Sequence, residues 1–168
     1  MIGSHRGAGL VRFAAAASRS WRAAPVVLRW MPPIAVMAAL WWSSSRTPVP
    51  GEAWPLGDVL HNAMHVVAFG LLGTTLWFAC HGGVTPSERW AACVALAVAV
   101  AYGIVDELHQ ATVPGRVSSV YDVASDACGA ALAVHLLRRW HGEIRPSAWS
   151  LPLLVGAAMV SVSLATWG

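Results

Sequence analysis

The fold is decided by a stretch in the middle of the chain, residues 90–126: WAACVALAVAVAYGIVDELHQATVPGRVSSVYDVASD. The stretch starts as an apolar run rich in alanine and valine, passes into DELHQ (106–110), and turns at PGR (114–116). Two aspartates follow, so four of the eight acidic residues of the chain fall between positions 106 and 126. Ionisable groups at the edge of a bilayer-spanning run are costly and tend to mark function.

Outward from this stretch, the composition is that of an integral membrane protein. The 168 residues are 57% hydrophobic and 11% charged, with a mean hydropathy of +0.56, whereas an average soluble domain has roughly 25% charged residues. All eleven basic residues are arginine, and they are not clustered like a nucleic-acid patch. We therefore expect the lipid bilayer as a partner and no nucleic acid. The three cysteines lie in or beside apolar runs and are interpreted as packing residues.

The pattern of apolar runs predicts an all-α, polytopic transmembrane helix bundle. A basic tail (1–24) precedes one transmembrane domain (25–168), whose first run is interrupted by Pro32-Pro33. Runs of about 20 residues are long enough to cross the roughly 30 Å hydrocarbon layer. Ser119, with an acid three residues on, resembles a capping box that starts the fourth helix. About five spans are predicted, at about 28–45, 57–80, 89–109, 119–138 and 148–167.

An alternative for the first run is a cleaved signal peptide, because the run follows a basic region. Trp41-Trp42 next to the supposed cleavage region and the lack of a clear A-x-A motif argue against cleavage.

The distribution of arginine predicts the orientation in the cell membrane. Cytoplasmic loops carry an excess of arginine and lysine. The tail to Arg29, the loop between spans two and three, and the loop between spans four and five hold nine arginines, and the other side holds only Arg46 and Arg116. We therefore expect a multi-pass protein with a cytoplasmic N-terminus and an extracytoplasmic C-terminus.

This topology brings the polar residues to one end of the bundle, at the outer face. Short connections make consecutive helices antiparallel neighbours, and each set has the three- or four-residue spacing of a single helix face. Gly129 extends the stripe of Asp122 and Asp126 with a residue small enough for a neighbouring helix to approach. The residues predicted to share one pocket are His61, His65, Asp106, Glu107, His109, Gln110, Arg116, Asp122 and Asp126.

These motifs resemble the VanZ-like membrane proteins. The resemblance is carried by WWSS (41–44), by His65 with Phe69 and Leu72, by the DELHQ to PGR block, and by Asp122 with Gly129. It implies a small multi-span protein of the bacterial cell envelope, in some members associated with resistance to the glycopeptide teicoplanin. Two departures stand out: the family's usual Asp-Lys reads His61-Asn62, and its usual Asn in the fourth helix reads Asp126.

Several functions are compatible with this residue set. Arg116, beside the amino end of a helix, is suited to hold a phosphate oxygen of a lipid-linked cell-wall precursor. Catalytic candidates are Asp106, Glu107 and His109, acting as acid or base on a phosphorylated polyprenyl lipid. Ligand-binding candidates are His65, Gln110, Arg116, Asp122 and Asp126.

Two further possibilities remain open, and whether the protein is an enzyme is also open. The first is a structural network in which Arg116 pairs with Asp106 or Glu107 and the histidines bond to Asp122, so that the cluster only holds helices together. The second is a divalent metal on His65, His109 and Asp122, although no compact signature such as H-E-x-x-H is present. No cofactor is expected, and transport is ranked low because the inner halves of the spans carry almost no ionisable groups.

Overall fold

A computed structural model describes residues 20–47, 57–81, 88–142, 144, 147 and 150–167. Most of the predicted tail and the loop 48–56 lie outside these residues. The described part is helical and forms five long helices, each apolar enough to cross a membrane. We label these helices α1 Val26–Ser44, α2 Gly57–His81, α3 Glu88–Gln110, α4 Val120–Trp140 and α5 Ser150–Trp167. The predicted fold class is confirmed, and each boundary lies within a few residues of its prediction.

Helix α1 corrects one expectation, because it is continuous through Pro32 and Pro33. Each proline removes one backbone N–H donor and strains the preceding turn. Transmembrane helices nevertheless tolerate proline, because neighbouring helices, hydroxyl side chains and local adjustments of the backbone satisfy the freed groups.

Helix α2 is the centre of the bundle and packs against each of the other four helices. Its most buried side chains, Phe69, Leu72, Leu76 and Trp77, are all fully buried. They share the core with small residues of α3 and α4 and with larger, partly buried side chains such as Tyr102. The small residues in this core cluster are Ala91, Ala92, Ala95, Ala99 and Ala130.

The contact of α2 with α4 is the most extensive in the bundle, and glycine makes it possible. A Cβ atom at Gly129 would collide with the backbone carbonyl of Val66, and one at Gly73 would lie 3.0 Å from the Cα of Ala130. Small residues at membrane helix crossings let two backbones approach closely. The predicted role of Gly129 is therefore confirmed.

The helices alternate in direction, so the bundle has two chemically different ends. The polar end is formed by residues 44–47, 57–62, 110–120 and 163–167, where Asn62 of α2 donates to Thr166 of α5 at 2.9 Å. The arginine end is formed by residues 20–29, 78–81, 88–92, 138–142 and 150–154. There Arg29 donates to the carbonyl of Ala79 at the end of α2.

Candidate functional site

A cavity of about 140 Å³, here called the polar cavity, lies at the polar end between α1, α2 and α3. Each helix contributes a different type of polar side chain to the lining. Serines come from the end of α1, histidines from the start of α2, and acid and amide groups from the end of α3. The lining residues are Leu40, Ser43, Ser44, His61, Met64, His65, Ala68, Asp106, Gln110 and Arg116.

Arg116 closes the cavity from the loop between α3 and α4. The loop turns at Gly115, whose φ of 81° favours glycine. The Arg116 guanidinium donates from Nη2 to the Ser43 carbonyl at 2.9 Å and from Nε to the Arg46 carbonyl at 3.1 Å. The Arg116 guanidinium thus joins this loop to the carbonyls at and just beyond the end of α1, where the helix dipole favours a cation. The pairing of Arg116 with Asp106 or Glu107, considered from sequence, is not formed.

Behind the cavity, a hydrogen-bonded network joins the end of α3 to the start of α4. Gln110 Nε2 donates to Asp106 Oδ2 at 3.0 Å and to Glu107 Oε1 at 3.1 Å. The other Glu107 oxygen accepts the backbone N–H of Ser119 at 2.8 Å. Glu107 is 4% exposed and is not among the residues lining the cavity. Its contacts close the loop rather than face a ligand.

Helix α4 starts after Ser119 as predicted, but the capping box is not formed, because the Ser119 N–H donates to Glu107 and not to Asp122. Ser119 is the N-cap of the helix, and its hydroxyl accepts the backbone N–H of Tyr121 at 3.1 Å. Asp122 lies in the first turn, where the helix dipole favours a negative charge.

His65 and Asp126 join α2 to α4 beside the cavity. The Nδ1 of His65 lies 3.0 Å from Oδ1 of Asp126, which is 0% exposed. The other Asp126 oxygen lies against Gly103 of α3, where a Cβ atom would come within 2.9 Å of it. Asp126 thus fixes the imidazole. The Nε2 of His65 makes no hydrogen bond to any described residue, and His65 lines the cavity.

Three buried carboxyl oxygens at this end have no hydrogen-bond partner among the residues that the structure describes: Asp106 Oδ1, Asp122 Oδ1 and Asp126 Oδ2. All three residues are nearly inaccessible, with Asp106 2% exposed. Asp126 is within electrostatic reach of both other aspartates. Buried polar atoms without partners are rare in folded proteins and call for an explanation. Asp106 is the one of the three that lines the cavity.

His109 has a different environment from the other predicted site residues. Its ring stacks on Trp41 of α1, with centroids 3.8 Å apart, and its Nε2 lies 2.9 Å from the Ser45 hydroxyl. His65 faces Asp126 instead, so the set considered for a metal is not brought together. Within the described ranges, no three His, Cys, Asp or Glu side chains are arranged to hold a metal ion.

Comparison with known proteins identifies the family. A sequence profile named VanZ/LLP1 matches residues 10–141, which contain α1 to α4 and every residue lining the polar cavity. The chain belongs to the VanZ/LLP1 family. The resemblance seen in the sequence motifs is therefore confirmed. No curated protein and no solved structure matches this VanZ/LLP1 chain significantly.

The two departures from the VanZ-like motifs have structural counterparts in this VanZ/LLP1 protein. Asn62, where the resemblance implies a lysine, is 4% exposed and bonds to Thr166 of α5, a helix outside the matched segment. Asp126, where the resemblance implies an asparagine, holds His65. Both residues thus attach α2 to a neighbouring helix.

Sequence reasoning missed the contribution of α1. Leu40, Ser43 and Ser44 line the cavity, and the Ser43 carbonyl accepts Arg116. The WWSS motif that ends α1 was noticed as a family signature but was given no place in the site. A pair of hydroxyls at the end of an apolar run was the available signal, although a backbone carbonyl has no signature in a sequence.

Proposed function

We propose that this protein binds the headgroup of a lipid-linked cell-wall intermediate in the polar cavity, at the outer face of the cell membrane. The observation that carries the proposal is the mixed lining: Leu40, Met64 and Ala68 are apolar, while Asp106 and Arg116 are charged. A cavity with an apolar wall and a few convergent polar groups is the usual form of a small-molecule site. In a bilayer, this combination suits an amphiphile.

Arg116 is the group best suited to a phosphate. It uses Nε on the Arg46 carbonyl and one Nη2 hydrogen on the Ser43 carbonyl, so further N–H donors of its five remain. Among the described residues it has no carboxylate partner. A guanidinium held by backbone carbonyls and not neutralised by an acid can attract an anionic headgroup.

The volume sets the size of what fits. A cavity needs roughly 10–15 Å³ per enclosed water, so about 140 Å³ has room for a phosphate and a few further atoms. A complete saccharide-peptide headgroup does not fit. We therefore propose that only the part of the headgroup next to the lipid enters, and that the remainder stays outside.

The lipid chain would leave the cavity between α1 and α2. Met64 lines the cavity and is 54% exposed on the side of the bundle, so the apolar wall continues to the lipid-facing surface. A ligand entering from the bilayer would not have to cross the aqueous face with its chain exposed.

The proposed orientation rests on the arginines. Of the arginines that the structure describes, two belong to the polar end, Arg46 and Arg116, and five belong to the arginine end: Arg22, Arg29, Arg89, Arg138 and Arg139. By the positive-inside rule the polar end is extracytoplasmic. A contribution to glycopeptide resistance, which the family resemblance implies for some members, would follow from binding a cell-wall intermediate on that side.

Two other functions have an observation in their favour. The network through Gln110, Glu107 and Ser119 favours a scaffold in which the polar groups only hold helices together. The Asp126-bound imidazole of His65 favours an enzyme, because a buried carboxylate that orients a histidine is a common acid–base arrangement.

The test is a binding titration of detergent-solubilised full-length protein with fluorescent undecaprenyl phosphate and undecaprenyl-linked precursor. We expect Arg116→Gln to weaken binding by about tenfold or more, since a charge-assisted contact contributes roughly 1.5–3 kcal/mol. Arg46→Gln is the matched control: it removes the same charge at the same end, but the Arg46 guanidinium lies 3.6 Å over the Trp42 ring. The scaffold would be favoured if the two variants weakened binding equally, or if the wild-type protein bound neither lipid tightly.

A further inference from the structure

The charges around the polar cavity are unbalanced in a way that constrains its ligand. Among the side chains that the structure describes, four buried carboxyl groups lie in or beside the cavity: Asp106, Glu107, Asp122 and Asp126. The basic groups that line the cavity are Arg116, His61 and His65. A ligand that carried only negative charge would be attracted by Arg116 and repelled by the acids.

Asp106 is the acid of this group that a ligand in the cavity can contact. It lines the cavity and is 2% exposed. Its Oδ2 accepts from Gln110, but its Oδ1 has no partner among the described residues. Leaving a buried charged acceptor unpaired costs more than a typical hydrogen bond contributes. A hydrogen-bond donor supplied by a ligand would remove that cost.

Arg116 supplies the complementary half. Its free N–H donors require an acceptor, and the Asp106 oxygen requires a donor, within one cavity. From this pair we infer that the ligand headgroup is zwitterionic: an aminoalkyl phosphate whose phosphate faces Arg116 and whose ammonium group faces Asp106. The inference rests on the proposed function: it keeps the phosphate contact with Arg116 and adds that the group next to the phosphate carries an amine.

The volume of the cavity and its acidic groups both favour an aminoalkyl phosphate over a phosphate with a neutral alcohol. An aminoalkyl phosphate has few enough atoms for a cavity of about 140 Å³. A phosphate bearing a neutral alcohol brings no positive charge to offset the acids. The cavity would therefore discriminate between the two headgroups both by attracting the ammonium group and by repelling a headgroup that lacks one.

The experiment is lipid competition measured by native mass spectrometry on full-length protein in detergent. The probes are dioleoyl phosphatidylethanolamine and dioleoyl phosphatidylglycerol, which differ only in the headgroup alcohol, and free O-phosphoethanolamine, which has no chains. We expect the ethanolamine lipid to bind about tenfold more tightly than the glycerol lipid. Free O-phosphoethanolamine should compete more weakly than its lipid.

Variants assign the discrimination to the cavity. Asp106→Asn should reduce the tenfold preference to about twofold or less, because the amide has no charge to offer the ammonium group. Glu88→Gln is the matched control, since it makes the same kind of change at the other end of the same helix, and it should keep the preference. Circular dichroism and a size-exclusion profile show whether each variant is folded.

The outcomes test the zwitterionic headgroup and the binding of an amphiphile separately. Equal binding of the two lipids by the wild-type protein, or an unchanged preference in folded Asp106→Asn, overturns the zwitterion inference and leaves headgroup binding intact. Competition by free O-phosphoethanolamine as strong as that by its lipid overturns the amphiphile proposal. If Asp106→Asn does not fold, Asp106→Glu, which keeps the charge, must keep the preference; if it loses it, the inference fails.

Discussion

His65 and Asp126 are 61 positions apart in the chain, yet their side chains meet at 3.0 Å between α2 and α4. The aspartate is completely buried and the histidine lines the polar cavity. One contact therefore links the packing of the two most closely associated helices to the geometry of the candidate site.

This contact gives the first prediction. Asp126→Ala leaves the His65 nitrogen without an acceptor and opens a void beside Gly103, so we expect a loss of about 1–3 kcal/mol of stability. Asp126→Asn keeps a carbonyl oxygen for the same nitrogen and should lose clearly less. Thermal unfolding in detergent, followed by circular dichroism, measures both. If the two variants lower Tm equally, the hydrogen bond is not what stabilises this contact.

Glu107 provides a second prediction, because both of its oxygens accept from donors. In Glu107→Gln one oxygen becomes an NH₂ group that must face either Ser119 or Gln110, and two donors then oppose each other. We expect about 1–3 kcal/mol of local destabilisation and faster hydrogen exchange at the backbone amide of Ser119 and in the loop 111–118. Unchanged exchange at Ser119 would show that this network does not close the loop.

A third prediction concerns the crossing of α2 and α4. Gly129→Ala adds a methyl group that collides with the Val66 backbone, so the helices must separate, and overpacking of this kind costs typically 1–3 kcal/mol. Gly156→Ala is the matched control, because nothing lies within 4 Å of a Cβ atom there. We expect a lower Tm and less protein in the membrane for the first variant only. Equal stability of the two variants would contradict the tight crossing.

The orientation yields a fourth prediction. Ala111 and Ala23 are both exposed and lie at the polar end and the arginine end, respectively. In a background without native cysteines, Ala111→Cys should react with a membrane-impermeant maleimide in intact cells. Ala23→Cys should react only after permeabilisation. The reverse pattern of labelling would show that the bundle has the opposite orientation, with the polar cavity at the cytoplasmic face.

The sequence predicted the helices well because their signals are local. Apolar runs, the Ser119 cap and the small residue at 129 act within a few turns of their own position. These features located five helices and brought the acidic residues to one end.

The partners of the site residues were harder to predict, because they depend on how each helix is rotated. Successive residues of a helix differ by about 100°, so Glu107 and His109 point to nearly opposite sides. Glu107 turns to Ser119 of the next helix, and His109 turns to Trp41 of α1. Their closeness in sequence suggested one pocket, and tertiary packing separated them.

Helix α5 alters where the helical part of the chain emerges. The four helices inside the family match would return to the side from which they started. The additional helix, tied to α2 through Asn62 and Thr166, makes the number of passes odd. A segment that follows Trp167 would thus emerge at the polar end of the bundle, and a segment that precedes Val26 would emerge at the arginine end.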